Sequence, residues 1–220
     1  AGKVLKEEHL QNTNQTQRGL REARTLAKME HPGIVRLHKM DLGPGGRPYI
    51  EMELVVGETL AQRIQRDGAL SPEEFEPMLV SLLDAVSYVH AQKVLHRDIK
   101  PSNILIRTEE PLDLVLIDFG IASMADLSLH LTNLNRTAAY CAPETIQGVV
   151  GKESDWWSVG VVMLEMLEGK HPWGGMGEQA INFQLVSRGM KVPEGVGREW
   201  GQLLKGLLTR DGERLSLIHI

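Results

Sequence analysis

Phe75, Met78, Leu79, Leu82, Leu83, Val86 and Val89 recur at three- and four-residue spacing, which predicts a helix with one face in a core. Its start is marked by Ser71-Pro72-Glu73-Glu74, a capping box with proline at the first helical position. Upstream, residues 1–8 read as a strand and 16–30 as an amphipathic helix that stops at His31-Pro32-Gly33. Residues 34–40 and 48–54 read as strands around the glycine-rich turn at 43–46, and 58–66 as a short helix. Short apolar runs at 103–106 and 112–117 predict a pair of small strands. After a polar stretch over 121–139, helices are expected at 154–168, 177–188 and 198–208. Strands come first and helices later. The pattern therefore predicts an α+β protein with a small β-rich lobe, a larger α-rich lobe and a seam at 54–57.

Composition adds exclusions. The 220 residues are 42% apolar and 24% charged, enough to bury a core and too apolar for bulk disorder. A net charge of −5 offers no basic field for nucleic acid or anionic lipid, so no nucleic-acid partner is expected. A single cysteine, Cys141, excludes a disulfide framework and a multi-cysteine metal site. No apolar run reaches the roughly 20 residues needed to span a bilayer, so no membrane contact is expected and the segment reads as cytoplasmic. Both ends read as cuts. The chain starts on Ala1 and enters a strand without a lead-in, and the last six residues, 215–220, back-translate into a transposon sequencing adaptor. They are expected to be non-native and are left out of the functional argument.

The chemistry-bearing residues concentrate in two places. His96-Arg97-Asp98-Ile99-Lys100-Pro101-Ser102-Asn103 lies between the long helix and a strand, and Asp118-Phe119-Gly120 follows the next strand. A carboxylate, a lysine two positions on, an amide five positions on and a second carboxylate after a hairpin suit phosphoryl transfer. That reaction asks the protein for in-line positioning and for cations against phosphate charge. Asp98 can orient or accept the proton of an attacking hydroxyl, and Lys100 can neutralise the moving phosphoryl. Asn103 and Asp118 offer the hard oxygen ligands that Mg²⁺ prefers.

With this spacing the chain resembles the eukaryotic-type protein kinase family, in its serine/threonine branch, and the short connections are similar to those of bacterial members. The resemblance implies a two-lobed kinase fold, with 1–56 a partial small lobe, 57–214 the large lobe and 215–220 the non-native tail. Ala1-Gly2-Lys3 is similar to the end of the family's third-strand motif, and Glu22 to the glutamate of the small-lobe helix. The implied roles are phosphate binding by Lys3 and an ion pair between Lys3 and Glu22. Residues 50–55 resemble the last small-lobe strand and the hinge, with Met52 as gatekeeper and the backbone of Glu53 and Val55 bonding adenine. Asp98, Lys100 and Asn103 are then catalytic, Asn103 and Asp118 hold Mg²⁺, and Asp118 also serves ATP. Thr137 to Glu144 resembles the end of an activation segment, Thr137 bonding Asp98 and Lys100. Asp155 would brace the backbone at His96 and Arg97, Arg214 would pair with Glu144, and His96, Leu26, Leu37 and Phe119 would stack between the lobes. Arg97 would read a phosphate on Thr132 or Ser128.

The implied activity is ATP- and Mg²⁺-dependent transfer of the γ-phosphoryl group to serine or threonine hydroxyls of a protein substrate. One departure stands out. The family's glycine-rich loop precedes the third-strand lysine, and only Ala1 and Gly2 precede Lys3. The chain as written is therefore expected to be inactive or nearly so. Two alternatives stay open. A pseudokinase scaffold would bind partners without catalysis, but such proteins often lose the equivalents of Lys3, Asp98 or Asp118. A small-molecule kinase would share the Asp98–Asn103 spacing but generally lack Ala142-Pro143-Glu144. The bland readings are a packed Cys141 with no reactive thiol, core roles for Trp156 and Trp157, and a packed, hydrogen-bonded His96.

Overall fold

The computed structural model describes residues 2–4, 25–42, 48–119, 138–194 and 196–209. Its first sheet has three antiparallel strands, β1 (Gly2–Val4), β2 (Leu37–Leu42) and β3 (Pro48–Met52), in the order β1-β3-β2. Register places Lys3 opposite Ile50 on β3, two residues before Met52. β2 begins later than the apolar pattern predicts. Ile34 and Val35 leave the first sheet to meet Leu116, with the Val35 N–H donating to its carbonyl at 3.0 Å.

A second antiparallel sheet, β4-β5-β6, is built from β4 (Glu58–Thr59), β5 (Ile104–Thr108) and β6 (Asp113–Leu116). Glu58 was expected in a helix and lies instead in β4, paired with Ile106. Helix α1 (Leu60–Asp67) starts two residues later than expected because Thr59 caps it, accepting from Gln62 N–H while the Gln62 side chain reaches back to the cap. Helix α2 (Pro72–Ala91) carries the expected box, with Ser71 and Glu74 bonded reciprocally. It buries Phe75, Met78, Leu79, Leu82, Val86 and Val89 as the spacing predicts; Leu83 is half-buried, and Ala85 and His90 complete the face.

Three further helices follow among the described residues: α3 (Lys152–Glu168), α4 (Glu178–Ser187) and α5 (Arg198–Leu207). α3 is apolar nearly all round, with Trp157, Val159, Val161, Val162, Met163 and Leu164 buried, so it forms the centre of the large lobe. Gly160 lets α5 approach. A Cβ there would stand 2.9 Å from Leu208 Cδ2 and 3.1 Å from Leu207 Cβ, too close without a shift.

The buried apolar residues form two groups. One fills the large lobe around α3. The other joins the lobes: Leu26, Met29, Ile34, Val35, Leu37 and Ile50 from the small side meet Ala85, Val89, Val94, Val115 and Phe119 from the large side. The second group lies beside the segment 94–119, so the residues singled out for chemistry rest on the seam between lobes. Residues 53–57 form the irregular stretch between β3 and β4.

Candidate active site

The loop after α2 is shaped by one buried carboxylate. Asp155, 2% exposed near the start of α3, accepts the backbone N–H of His96 through Oδ2 at 2.8 Å and that of Arg97 through Oδ1 at 2.8 Å. His90 of α2 adds its Nε2–H to Oδ2 at 2.9 Å. A buried carboxylate needs such donors, and two of the three are amides of a loop that lacks secondary structure to satisfy them. Asp155 is thus the brace that its sequence context predicts.

His96 is fully buried between two further bonds. Its Nδ1 accepts the Asp98 N–H at 3.3 Å, and its Nε2 faces the Ile117 carbonyl at 2.9 Å. Only the neutral ring protonated at Nε2 satisfies both, and burial agrees by pushing its pKa below the usual imidazole value. The ring packs 4.6 Å from that of Phe119, and Phe119 shares one buried group with Leu26 and Leu37. The expected interlobe stack is therefore in place.

Arg97 and Asp118 have φ of 68° and 57°, left-handed values that non-glycine residues adopt at a cost. Both flank the catalytic candidates, and the Asp155 bond holds Arg97 in that conformation. Asp98, Lys100 and Asn103 form a single cluster. Lys100 Nζ lies 2.9 Å from Asp98 Oδ1 and 2.8 Å from Oδ2. Asn103 Nδ2 donates to Asp98 Oδ2 and to the Asp98 carbonyl, each at 2.8 Å. A carboxylate offers about four lone-pair sites. These contacts leave Oδ1 room for one more donor.

Asn103 also fixes the approach of the second carboxylate. Its carbonyl accepts the Ile117 N–H at 2.9 Å, which draws Asp118 alongside the loop. The Asn103 amide nitrogen is committed to Asp98, so Oδ1 is the atom left for a cation. Among the described residues no group of three or more His, Cys, Asp or Glu is arranged to hold a metal. Asn103 Oδ1 and the Asp118 carboxylate are hard oxygens of the kind that would suit Mg²⁺, which takes one or two protein oxygens and completes its shell with water and phosphate.

At the hinge, the Glu53 N–H donates to the Arg36 carbonyl at 2.8 Å. Leu54 and Val56 are exposed, and Val55 packs against the interlobe core. Among the described residues no hydrogen bond is made by the Glu53 carbonyl or the Val55 N–H.

The segment at 138–147 docks on α3. Tyr140 donates its hydroxyl to Glu165 Oε2 at 2.5 Å, its carbonyl accepts from Ser158 Oγ at 2.8 Å, and its ring meets His171 edge-on at 4.9 Å. Glu144 accepts from Ser154 Oγ at 2.9 Å. Burial pushes the Cys141 thiol up to about 11, so it is protonated near neutral pH, in line with its packed role. Trp157 is buried, and Trp156 lies edge-on to His90 at 5.2 Å.

The Lys3 side chain, Glu22, Gly120, Ser128, Thr132, Thr137, Arg214 and 215–220 lie outside the described residues or side chains. The residues that sequence reasoning missed are partners. His90 falls on the buried stripe of α2, where a polar residue signals a buried acceptor, and that signal was readable. Arg107, which binds Glu53, gave no such signal.

The comparisons agree with this geometry. The family model described as "Protein kinase domain" matches residues 1–220. The chain is similar to Serine/threonine-protein kinase AtPK1/AtPK6 of Arabidopsis thaliana, 32% identical over 97% of this chain and 45% of that protein. It is also similar to Probable serine/threonine-protein kinase PknB of Bifidobacterium longum, 35% identical over 87% of this chain and 30% of that protein. Serine/threonine-protein kinase PrkC of Bacillus subtilis is 33% identical over 87% of this chain and 29% of its own length. The chain belongs to the protein kinase family. It spans less than half the length of these relatives.

Proposed function

We propose that this chain carries the catalytic residues of an ATP- and Mg²⁺-dependent protein serine/threonine kinase. The observation that supports this most is the cluster of Asp98, Lys100 and Asn103 with Asp118 beside it, held by Asp155 and His96. ATP with Mg²⁺, bound through Asn103 and Asp118, would supply a phosphoryl group whose charge is largely neutralised.

Asp98 would orient the substrate hydroxyl through the open position on Oδ1 and take up its proton as that oxygen bonds to the γ-phosphorus of ATP and the bond from that phosphorus to the bridging oxygen breaks, releasing ADP. Lys100, already against Asp98, would screen the equatorial phosphate oxygens. Asn103 fixes the Asp98 rotamer. The backbone of Glu53 and Val55 holds adenine, and Lys3, in an ion pair with Glu22, holds the α- and β-phosphates. Thr137 bonds Asp98 and Lys100 when substrate is engaged.

The assembled carboxylates argue against a binding-only scaffold, and the segment docked on α3 through Tyr140 and Glu144 favours a peptide over a small-molecule acceptor. Among the described residues no helix is long and apolar enough to cross a membrane. The reading places the reaction in the cytoplasm, where ATP is available. The test is incubation of the intact protein with γ-labelled ATP, Mg²⁺ and a generic basic protein, followed by analysis of the labelled amino acid. Phosphoserine or phosphothreonine that disappears when Mg²⁺ is chelated is the expected product. Label on a small hydroxylated metabolite alone, or no transfer by a protein that binds ATP, would overturn the reading.

A further inference from the structure

The hinge strand is pinned at both ends to two consecutive residues of β5. At its far end Gly57 lies against the chain itself: a Cβ there would stand 2.2 Å from the Ile106 carbonyl oxygen and 3.1 Å from Arg107 Cα. Only glycine fits this contact. At the near end the pin is electrostatic. Arg107 Nη2 donates to Glu53 Oε1 at 2.6 Å, with both side chains about one-third exposed. Glu53 Oε2 faces the other way and accepts the Arg36 N–H of the small lobe at 3.3 Å. One carboxylate therefore ties together the large-lobe hairpin, the hinge and the small lobe.

The hairpin is built to present Arg107. Ile106 pairs with Leu114 and Thr108 with Asp113, so Arg107 sits at a register shift between them. A bulge of this kind breaks strict alternation and re-aims a side chain. Asp113 then steadies the guanidinium, its Oδ2 lying 3.3 Å from Nη1. Between the two pins the hinge exposes Leu54 and Val56 and turns Val55 inward.

We propose that Arg107 is a positioning residue for nucleotide binding, acting through Glu53 to hold the hinge backbone where its Glu53 carbonyl and Val55 amide meet adenine. Resting on the kinase reading above, this assigns a role to a residue remote from the reacting atoms. Without the guanidinium, the near end of the hinge keeps its bonds to Arg36 of the small lobe but loses its tie to the large-lobe hairpin, and an adenine-binding edge must be ordered against the large lobe by the nucleotide at each binding event. The effect falls on affinity, because Asp98, Lys100 and Asn103 take their positions from Asp155 and His96 and not from the hinge.

The experiment compares wild type, Arg107→Gln, Arg107→Lys, Glu53→Gln and the double variant Glu53→Gln/Arg107→Gln in the intact protein. The readouts are Mg²⁺-ADP binding by calorimetry and KM(ATP) and kcat for phosphoryl transfer. Arg107→Gln is expected to raise Kd and KM by about five- to tenfold, the size of a charge-assisted bond at a half-buried site. kcat should change less than twofold. Arg107→Lys should fall between, since lysine keeps the charge but loses the fork. The double variant should be no weaker than the worse single one. Wild-type affinity in Arg107→Gln, a loss confined to kcat, or additive losses in the double variant would each overturn the proposal. If Arg107→Gln fails to fold, Arg107→Lys and Glu53→Gln decide by the same criteria. A wild-type protein that does not bind ADP would overturn the nucleotide-site reading itself, and the proposal with it.

Discussion

Replacing Asp155 by alanine removes the acceptor for three donors at once. The His96 and Arg97 amides and the His90 ring nitrogen all point at this one carboxylate, which is 2% exposed. Each buried donor left without a partner costs about 1–3 kcal/mol. The three share one acceptor and relax together, so the loss is below their sum. Arg97, no longer held at φ 68°, can leave the left-handed region, which offsets about 1 kcal/mol. The net expectation is a loss of about 3–4 kcal/mol of folding stability. Asp155→Asn keeps one acceptor oxygen and should lose less, about 1–2 kcal/mol, because its amide group must face at least one of the three donors. Urea unfolding followed by tryptophan fluorescence gives both values if the slope with denaturant is unchanged. Relaxation of Arg97 also carries Asp98 away from its position, so both variants should lose phosphoryl transfer under conditions where they remain folded. An Asp155→Ala protein within 1 kcal/mol of wild type, or one that keeps full activity, would show that the carboxylate does not organise the loop.

Three further outcomes follow from the same geometry. Asp118→Ala should weaken Mg²⁺-ATP binding by at least about tenfold and remove its dependence on Mg²⁺; calorimetry giving wild-type affinity would remove Asp118 from the metal site. Burial lowers the pKa of His96, so the unfolded chain binds its proton first, and the stability contributed by the neutral ring is whole above about pH 6.5 and declines as pH falls toward the depressed native value. The unfolding free energy from urea titrations between pH 7.5 and 5.5 should therefore drop by up to about 1.4 kcal/mol per pH unit for this group, with His171 adding in the same direction, and His96→Gln should show the shallower slope. Cys141, with its thiol held near 11, should react with a maleimide or disulfide reagent at pH 8 at least about a hundredfold more slowly in the native protein than in urea; equal rates would contradict its packed state.

The large-lobe helices were readable because their burial follows a 3.6-residue period, and the box at Ser71–Glu74 marks where α2 starts. The boundaries that moved did so for tertiary reasons. Ile34 and Val35 read as the start of a strand because they are apolar, yet they pair with Leu116 of the other lobe, a contact no local pattern encodes. Glu58 lies in a strand because β5 supplies the partner for it, while the helical signal truly begins at the Thr59 cap. At the site, Asp98, Lys100, Asn103 and Asp118 stood out because their chemistry and spacing are dense in sequence. The residues that orient them were harder to see. His90 acts across 65 positions of sequence on Asp155, and Arg107 across 54 on Glu53, so each looks like a solitary polar residue until the fold closes the gap.

The central claim is that Asp98 acts on the substrate hydroxyl, while nucleotide is held by other groups. Its most direct test is kcat for protein phosphorylation by Asp98→Asn, measured beside its Kd for Mg²⁺-ATP. Asparagine preserves the size of the side chain and can keep a bond to Asn103 or Lys100, but it cannot take the proton. The account predicts a kcat lower by about a hundredfold or more with Kd within about threefold of wild type. An unchanged kcat, or a loss carried wholly by Kd, would contradict it.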